Sequence, residues 1–262
     1  MRIVSICSSS KANCTYIESG GKGMLVDIGC SYKMLCDGLK MAGRDISDIN
    51  AVFITHEHSD HIKGLPMLTK KLDVPVYASE GTRHMILDKN AVNPGTSLLL
   101  TDEIGKAPVN VDVHAFHTPH DSAESVCYTF SDGESKIAVC TDLGHITPEV
   151  RENLIGSRFV LIEANYDPEM MTRNLQYPAE LKRRIRSERG HLSNGDCAAF
   201  ARELVGSGTV SLLLGHLSQN NNTPELAVKT VEQALLASGA VRGRDYVLDA
   251  AAVVGSGKAI AI

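Results

Sequence analysis

The sequence has no apolar run approaching the roughly 20 residues that a membrane-spanning helix requires. Its apolar stretches are short, Phe159–Ile162 and Leu212–Leu214 among them. None of its seven cysteines (Cys7, Cys14, Cys30, Cys36, Cys127, Cys140, Cys197) stands in a CxxC pair, and their number is odd. This pattern fits neither a disulfide framework nor a structural zinc knuckle, and suits reduced, small core residues. No Pro/Ser-rich linker, low-complexity tract or repeat of 20–50 residues is present, which excludes a solenoid and leaves 1–262 to be expected as one domain. Basic residues are not in excess. The net charge of −5 excludes a general basic wrapper of nucleic acid, though not a local basic patch. The opening MRIVSICSSS lacks the extended apolar core of a secretory signal, so a cytoplasmic protein with no membrane partner is expected.

What is present reads as an α/β chain of 262 residues, long enough for a well-buried core. Strand-length apolar runs occur at 2–6, 15–18, 24–26, 51–55, 76–78, 109–116, 125–131, 136–140, 159–163 and 210–214. Helical periodicity occupies 31–42, 64–71, 79–89, 148–154, 178–189, 194–205 and 224–238. Thr223 followed by Pro224 has the form of an N-cap and a first-turn proline. Strands in runs with helices interspersed suggest two sheets covered by helices.

The chemistry concentrates in histidine. His56-Glu57-His58-Ser59-Asp60-His61 places four metal-ligand types within six positions, just past the apolar run AVFIT. A straight strand would send His56 and His58 to one face and His61 to the other; a loop can turn all of them toward one point. Imidazoles with a carboxylate suit Zn²⁺, Mn²⁺ or Fe²⁺. The competing reading is a solvated, His-rich turn, and four such groups in six positions weigh against it.

T-H-x-H-x-D-H after a hydrophobic strand resembles the signature of the metallo-β-lactamase superfamily, whose fold is an αββα sandwich of two mixed β-sheets. That resemblance implies a later His, a strand-end Asp and a final His. His120 in FHTPHDS, Asp142 in AVCTDLG and His216 in LLLGHLS fit those places. By the same resemblance His56, His58 and His120 would hold one metal, Asp60, His61 and His216 a second, and Asp142 would bridge both. His117 competes with His120; the segment HDSAES, similar to the family's HD-A-E, favours His120. Asp27 in VDIGC resembles the superfamily's V-D-x-G turn and would orient a ligand loop without binding metal. His84, His114 and His145 read as surface or core residues.

Within the superfamily, SSSKANCTYIE, THEHSDHIKG, HDSAES, TDLGHI, EANYD, RGHLSN and LGHLSQNNN look like the YycJ/WalJ group of bacterial exonuclease-like phosphodiesterases. This implies a 5′-to-3′ exonuclease on double-stranded DNA with two divalent metal ions, Zn²⁺ or Mn²⁺ with Fe²⁺ a third option, and a metal-activated water as nucleophile. The chain departs from the group where SSSKAN replaces the usual SGSSGN and where Tyr166 stands in place of a histidine in ANHD.

Two metals suit the chemistry. Metal binding can lower the pKa of water from 15.7 to about 7, roughly 12 kcal/mol, against roughly 3–5 kcal/mol from one positioned base. Asp60 and His191 are then the catalytic candidates, His191 to contact a phosphate oxygen or protonate the leaving group. Lys182–Arg189 reads KRRIRSER, five basic residues to one acidic. It is either a phosphate-tracking patch containing Arg183 and Arg184 or a solvated helix face. Ser8, Ser9, Ser10 and Asn13, with Asn165 and Ser193, are candidate substrate contacts. Two other classes compete with the nuclease: a metallo-hydrolase of a small phosphodiester, lactone or thioester, and a non-catalytic metal-binding regulatory module. The complete ligand set argues against the latter.

Overall fold

A computed structural model describes the whole chain, Met1–Ile262. The strands form two mixed sheets, of seven and six strands, as expected. The chain divides into two compact units: Met1–Ala115 with Ser122–Ser135 and Ala252–Ile262, and Phe116–Asp121 with Lys136–Ala251.

The first unit opens with β1 (Arg2–Ser9) and β2 (Ala12–Ser19), antiparallel with Ile3 opposite Ile17 and Cys7 opposite Cys14. β3 (Lys22–Val26) pairs antiparallel with β2. Helix α1 (Tyr32–Met41) begins where the Ser31 hydroxyl accepts the Met34 N–H, and it buries Leu35 and Leu39. Gly38 lets this helix lie close to β1, since a Cβ there would sit 2.9 Å from Ile6 Cγ2. β4 (Ile49–Phe53) joins β3 in parallel. Next come α2 (Ser59–Ile62), α3 (Leu65–Lys71), β5 (Val76–Ala78), α4 (Glu80–Asp88) and β6 (Leu98–Leu100). β5 and β6 extend the sheet in parallel.

Alternation along the strands sends Val4, Ile6, Tyr16, Leu25, Val52 and Ile54 into one core with Leu35, Leu39, Leu65, Leu68 and Ile86. Each fully buried side chain of this size contributes about 1.5–3 kcal/mol. Phe53 stacks on Tyr77 with ring centroids 5.3 Å apart and meets Phe130 edge-on at 5.6 Å.

β7 (Asp112–His117) runs from the first unit into the second, and β8 (Val126–Ser131) returns to the first, where the Tyr128 hydroxyl donates to the Ile54 carbonyl. The second unit continues with β9 (Lys136–Cys140), α5 (Pro148–Leu154), β10 (Phe159–Glu163), α6 (Pro168–Arg173), α7 (Ala179–Ile185), α8 (Asn194–Gly206), β11 (Ser211–Gly215), α9 (Pro224–Ala237) and β12 (Val247–Ala250). β9, β10, β11 and β12 are neighbours in that order, all parallel. Runs such as FVLI and LLL, apolar on both faces, are what a covered parallel sheet requires. Thr223 caps α9, with Pro224 in its first turn. A final strand, β13 (Ile260–Ala261), returns to the first unit antiparallel to β1.

Two expectations are corrected. The helix expected over 178–189 stops at Ile185. The chain turns back there, His191 N–H reaching the Ile185 carbonyl, and a Cβ on Gly190 would lie 2.2 Å from that same oxygen. Arg186 and Arg189 therefore leave the helix. The histidine-rich loop, in turn, contains a single-turn helix after His58, so Asp60 and His61 are helical. All seven cysteines are free and all but Cys36 are buried. No helix is long and apolar enough to cross a membrane.

Gly29 sets the approach of the β3 end to α2. A Cβ there would fall 1.6 Å from the Asp60 carbonyl oxygen and 2.8 Å from the Asn13 nitrogen. Gly29→Ala is expected to cost more than about 4 kcal/mol or to abolish folding, because backbone must move. Gly105→Ala, with nothing within 4 Å of the added Cβ, is expected to stay within about 0.5 kcal/mol of wild type. Urea unfolding of both variants checks the pair; a wild-type midpoint for Gly29→Ala would contradict the packing described.

Candidate metal centre

In the first unit the ligand-type residues follow the ends of two adjacent parallel strands, β3 and β4. Asp27 is the first residue past β3 and has φ of 60°, a left-handed conformation that is uncommon outside glycine. Its carboxylate is fully engaged: Oδ1 accepts from Thr55 N–H, and Oδ2 accepts from the Thr55 hydroxyl and His61 Nδ1, each at 2.8 Å. His61 is thereby held with Nδ1–H on Asp27 and Nε2 turned the other way, 3.2 Å from Asn13 Nδ2 and 3.4 Å from Asp60 Oδ2. The His56 ring packs 4.1 Å from the His61 ring, and its Nε2 lies 3.0 Å from His58 Nδ1. At that distance the two nitrogens are within hydrogen-bond reach of each other, and both rings belong to a set that could hold a metal ion. His56 and His61 are buried, and His58 is half-buried.

In the second unit the strand ends carry the other half of the set. Asp142 follows β9 with φ of 63°, Glu163 ends β10, and His216 follows β11 with φ of 54°. Three of the four non-glycine residues with positive φ are thus Asp27, Asp142 and His216, and such conformations persist where surrounding structure over-determines them. Ligand atoms of Asp142, Glu163, His191 and His216 all lie within 4.8 Å of one another. Glu163 organises them. Its Oε1 accepts from His191 Nδ1 and His216 Nδ1, both at 2.8 Å, and its Oε2 accepts from the Leu143 and Leu192 N–H groups. Burial pushes the Glu163 carboxyl up, but the two imidazoles and their hydrogen bonds prevail and hold it below the usual carboxylate range. The same carboxylate raises His191 against its own burial. Burial dominates at His120 and lowers it. His120 Nδ1 donates to the Gly190 carbonyl, and its Nε2 lies 3.6 Å from Asp142 Oδ1.

The structure separates the two rival histidines. His120 is buried, whereas His117 is exposed beside Glu149. His84 pairs with Asp88 on a helix surface, His145 lies on the Glu188 carbonyl, and His114 is exposed on β7. The candidate substrate contacts are largely engaged within the fold. The Asn13 side chain closes the β1–β2 turn, accepting from Ser8 Oγ and Ser9 N–H and donating to the Ser9 carbonyl; Ser10 is exposed at that turn. Asn165 Nδ2 holds the His216 carbonyl at 2.9 Å, and Ser193 caps α8.

Of the basic segment, Arg184 pairs with Asp121 and Arg186 donates to the Pro168 carbonyl and Thr172 hydroxyl. Lys182 donates to the Thr172 carbonyl and Arg189 to the His120 carbonyl, which leaves Arg183 as an exposed arginine on α7. Sequence reasoning passed over Glu163, although a carboxylate closing the apolar run FVLI repeats the strand-end position of Asp142.

The model of the β-lactamase superfamily domain matches residues 26–216, which include every ligand-type residue named above. The chain belongs to the metallo-β-lactamase superfamily. Within the superfamily it is 36% identical over 236 residues to exodeoxyribonuclease YycJ of Bacillus anthracis, covering 89% of each chain. It is 34% identical to exodeoxyribonuclease WalJ of Streptococcus pneumoniae, covering 92% of this chain and 90% of the relative. The superfamily fold is shared with the metallo-β-lactamase fold protein YhfI of Bacillus subtilis, with a TM-score of 0.72 at 16% identity over 99% of this chain and 98% of that one.

The donor set fits divalent metal: neutral imidazoles whose second nitrogens are tied to carboxylates or carbonyls are the usual supported ligands. Glu163→Gln keeps the shape but removes the charge that turns both rings. It is expected to weaken metal binding about 10–100-fold, read by competition with a chromophoric chelator. Unchanged affinity would mean that the rings are held by packing alone.

Proposed function

We propose that the chain is a metal-dependent exodeoxyribonuclease, a phosphodiesterase that removes nucleotides from 5′ ends of double-stranded DNA. The observation that carries this reading is the Glu163-centred cluster, in which one buried carboxylate aims two imidazoles beside Asp142. The curated relatives supply the substrate class, since both are named exodeoxyribonucleases. His56, His58 and His120 are the proposed ligands of one divalent ion, Asp60, His61 and His216 those of a second, and Asp142 is the bridge. Residues 1–262 act in this reading as one catalytic domain. Held by these residues, two such ions would supply a nucleophilic water at neutral pH and neutralise charge on the phosphoryl oxygens.

The protein's own groups do the rest. His191, with Nδ1 on Glu163, keeps Nε2 for a phosphate oxygen or for the proton that the leaving oxygen takes up. Arg189 steadies the His120 backbone, and Arg183 is the arginine left to meet the DNA backbone. Asn165 acts by fixing the His216 loop.

Asp142→Ala is expected to lose bound metal, measured by elemental analysis, together with at least about 10²-fold in hydrolysis of bis-p-nitrophenyl phosphate and of end-labelled duplex DNA. Full metal stoichiometry in the variant would remove the bridging role. With the wild type, stepwise Mn²⁺-dependent loss from labelled 5′ ends is expected; turnover of the small diester alone would move the substrate to a small phosphodiester.

The basic segment gives a second contrast. Arg183→Glu is expected to weaken DNA binding and reduce the salt slope by about 1. Arg189→Ala, which frees the His120 carbonyl, is expected to slow the small diester as well as DNA. Equal salt slopes for Arg183→Glu and wild type would assign the helix face to solvent.

A further inference from the structure

The second unit exposes one leucine almost completely. Leu175 is 96% exposed, at the tip of the connection between α6 and α7. The tip is tied down on both sides. Asn174 Nδ2 donates to Asn221 Oδ1 at 2.7 Å while Asn174 Oδ1 accepts from Gln176 N–H, and the Tyr177 hydroxyl accepts from Asn220 Nδ2 at 3.0 Å. The anchors belong to the segment that follows His216, and Asn221 in turn fixes Asp167 through its carbonyl. Leu175 is thus presented by an ordered frame, at the cost of an apolar side chain held in water.

Beside it lies a shallow, largely open depression of about 440 Å³ lined by Met170, Arg173, Asn174, Leu175, Gln176 and Asn220. Its composition is specific. Leu175 and Met170 offer apolar area for a flat ring. Gln176 and Asn220 are exposed amides that can match donors and acceptors on a base edge. Arg173, paired loosely with Glu169 at 3.2 Å, offers a guanidinium plane. Between Tyr166 and Arg189 the chain carries six basic and four acidic residues, against a net charge of −5 for the whole. Lys182, Arg184, Arg186 and Arg189 are engaged within the fold, so Arg183, with Arg173 beside Glu169, is what this stretch offers to a phosphate backbone.

We propose that this depression is a nucleobase subsite, in which Leu175 packs against a base of the DNA end while Gln176 and Asn220 contact its edge. The proposal rests on the exodeoxyribonuclease reading and adds to it where the base is held. A sequence-tolerant face-packing contact of this kind, with amides at its rim, would favour strands that carry a base over strands that lack one.

The test is a cycle of protein against substrate, measured by binding in chelator so that no cleavage occurs. A duplex with 2-aminopurine at its 5′ end is compared with the same duplex ending in an abasic nucleotide, for wild type, Leu175→Ala and Asn220→Ala. Leu87→Ala, half-exposed on α4, serves as the unaffected control. Wild type is expected to change the 2-aminopurine emission and to bind the abasic end about tenfold more weakly. Leu175→Ala is expected to lose the emission change and to bind both duplexes with the affinity wild type shows for the abasic one. Equal losses for Leu175→Ala on both duplexes, or a wild-type emission change in that variant, would overturn the subsite and leave the exodeoxyribonuclease reading standing. Failure of wild type to bind or cleave any duplex, with the small diester still hydrolysed, would instead overturn that reading and the subsite with it.

Discussion

Buried carboxylates that turn imidazole rings are the constraint on which the candidate centre depends. Asp27 accepts a hydrogen bond from His61 Nδ1, and Glu163 accepts from His191 Nδ1 and His216 Nδ1, each at 2.8 Å. An ionised carboxylate with almost no exposure is costly unless its oxygens are fully hydrogen-bonded. Both are, and backbone N–H groups complete the set, from Thr55 for Asp27 and from Leu143 and Leu192 for Glu163. The result is that each of these rings has its Nδ1 committed to a carboxylate, which fixes its orientation. Removing either carboxylate would leave the rings with a choice of tautomer and orientation that the fold otherwise denies them.

The backbone that delivers these groups is unusual in the same places. Asp27 and His216 directly follow β3 and β11, and Asp142 comes two residues past β9, all three in left-handed conformations. A strand that simply continued would carry these side chains alternately up and down. The sharp turn at each strand end turns each of them instead toward the carboxyl end of its own sheet, where ligands bind in open α/β sheets. The turns are held by amides. Asn165 donates to the His216 carbonyl, and Asn222 donates to the Ala164 and Asn165 carbonyls and to Asn194 Oδ1. Asn222, in the segment LGHLSQNNN that carries the family resemblance, is thereby part of what holds the His216 turn.

Much of the fold was legible because apolar period and capping chemistry are local. Strands β5, β9 and β10 and helix α5 match the expected bounds, and Thr223–Pro224 starts α9 as read. The short outer strands β6, β12 and β13 were missed; runs of two to four residues are too short to show a periodicity, and they are strands because a neighbour offers them an edge. The helix expected over 178–189 was overextended for a related reason. Arg186, Arg189 and the residues between them are compatible with a helix, and only the tight return at Gly190 ends it.

The candidate site divides in the same way. The spacing of His56, His58, Asp60 and His61 could be read from the chain because a ligand cluster is a dense local pattern of chemically rare side chains, whereas Asp142 and His216 were reached through the family resemblance. Superfamily membership followed from those residues. The role of Glu163 could not be read, since a single glutamate after FVLI becomes an organiser only when β9, β10 and β11 lie side by side and bring Asp142 and His216 to its two flanks. Nor could the division of labour among the arginines. Five similar charges in one segment are equivalent in sequence, and only packing decides which of them hold a carbonyl, which pair with a carboxylate, and that Arg183 faces solvent.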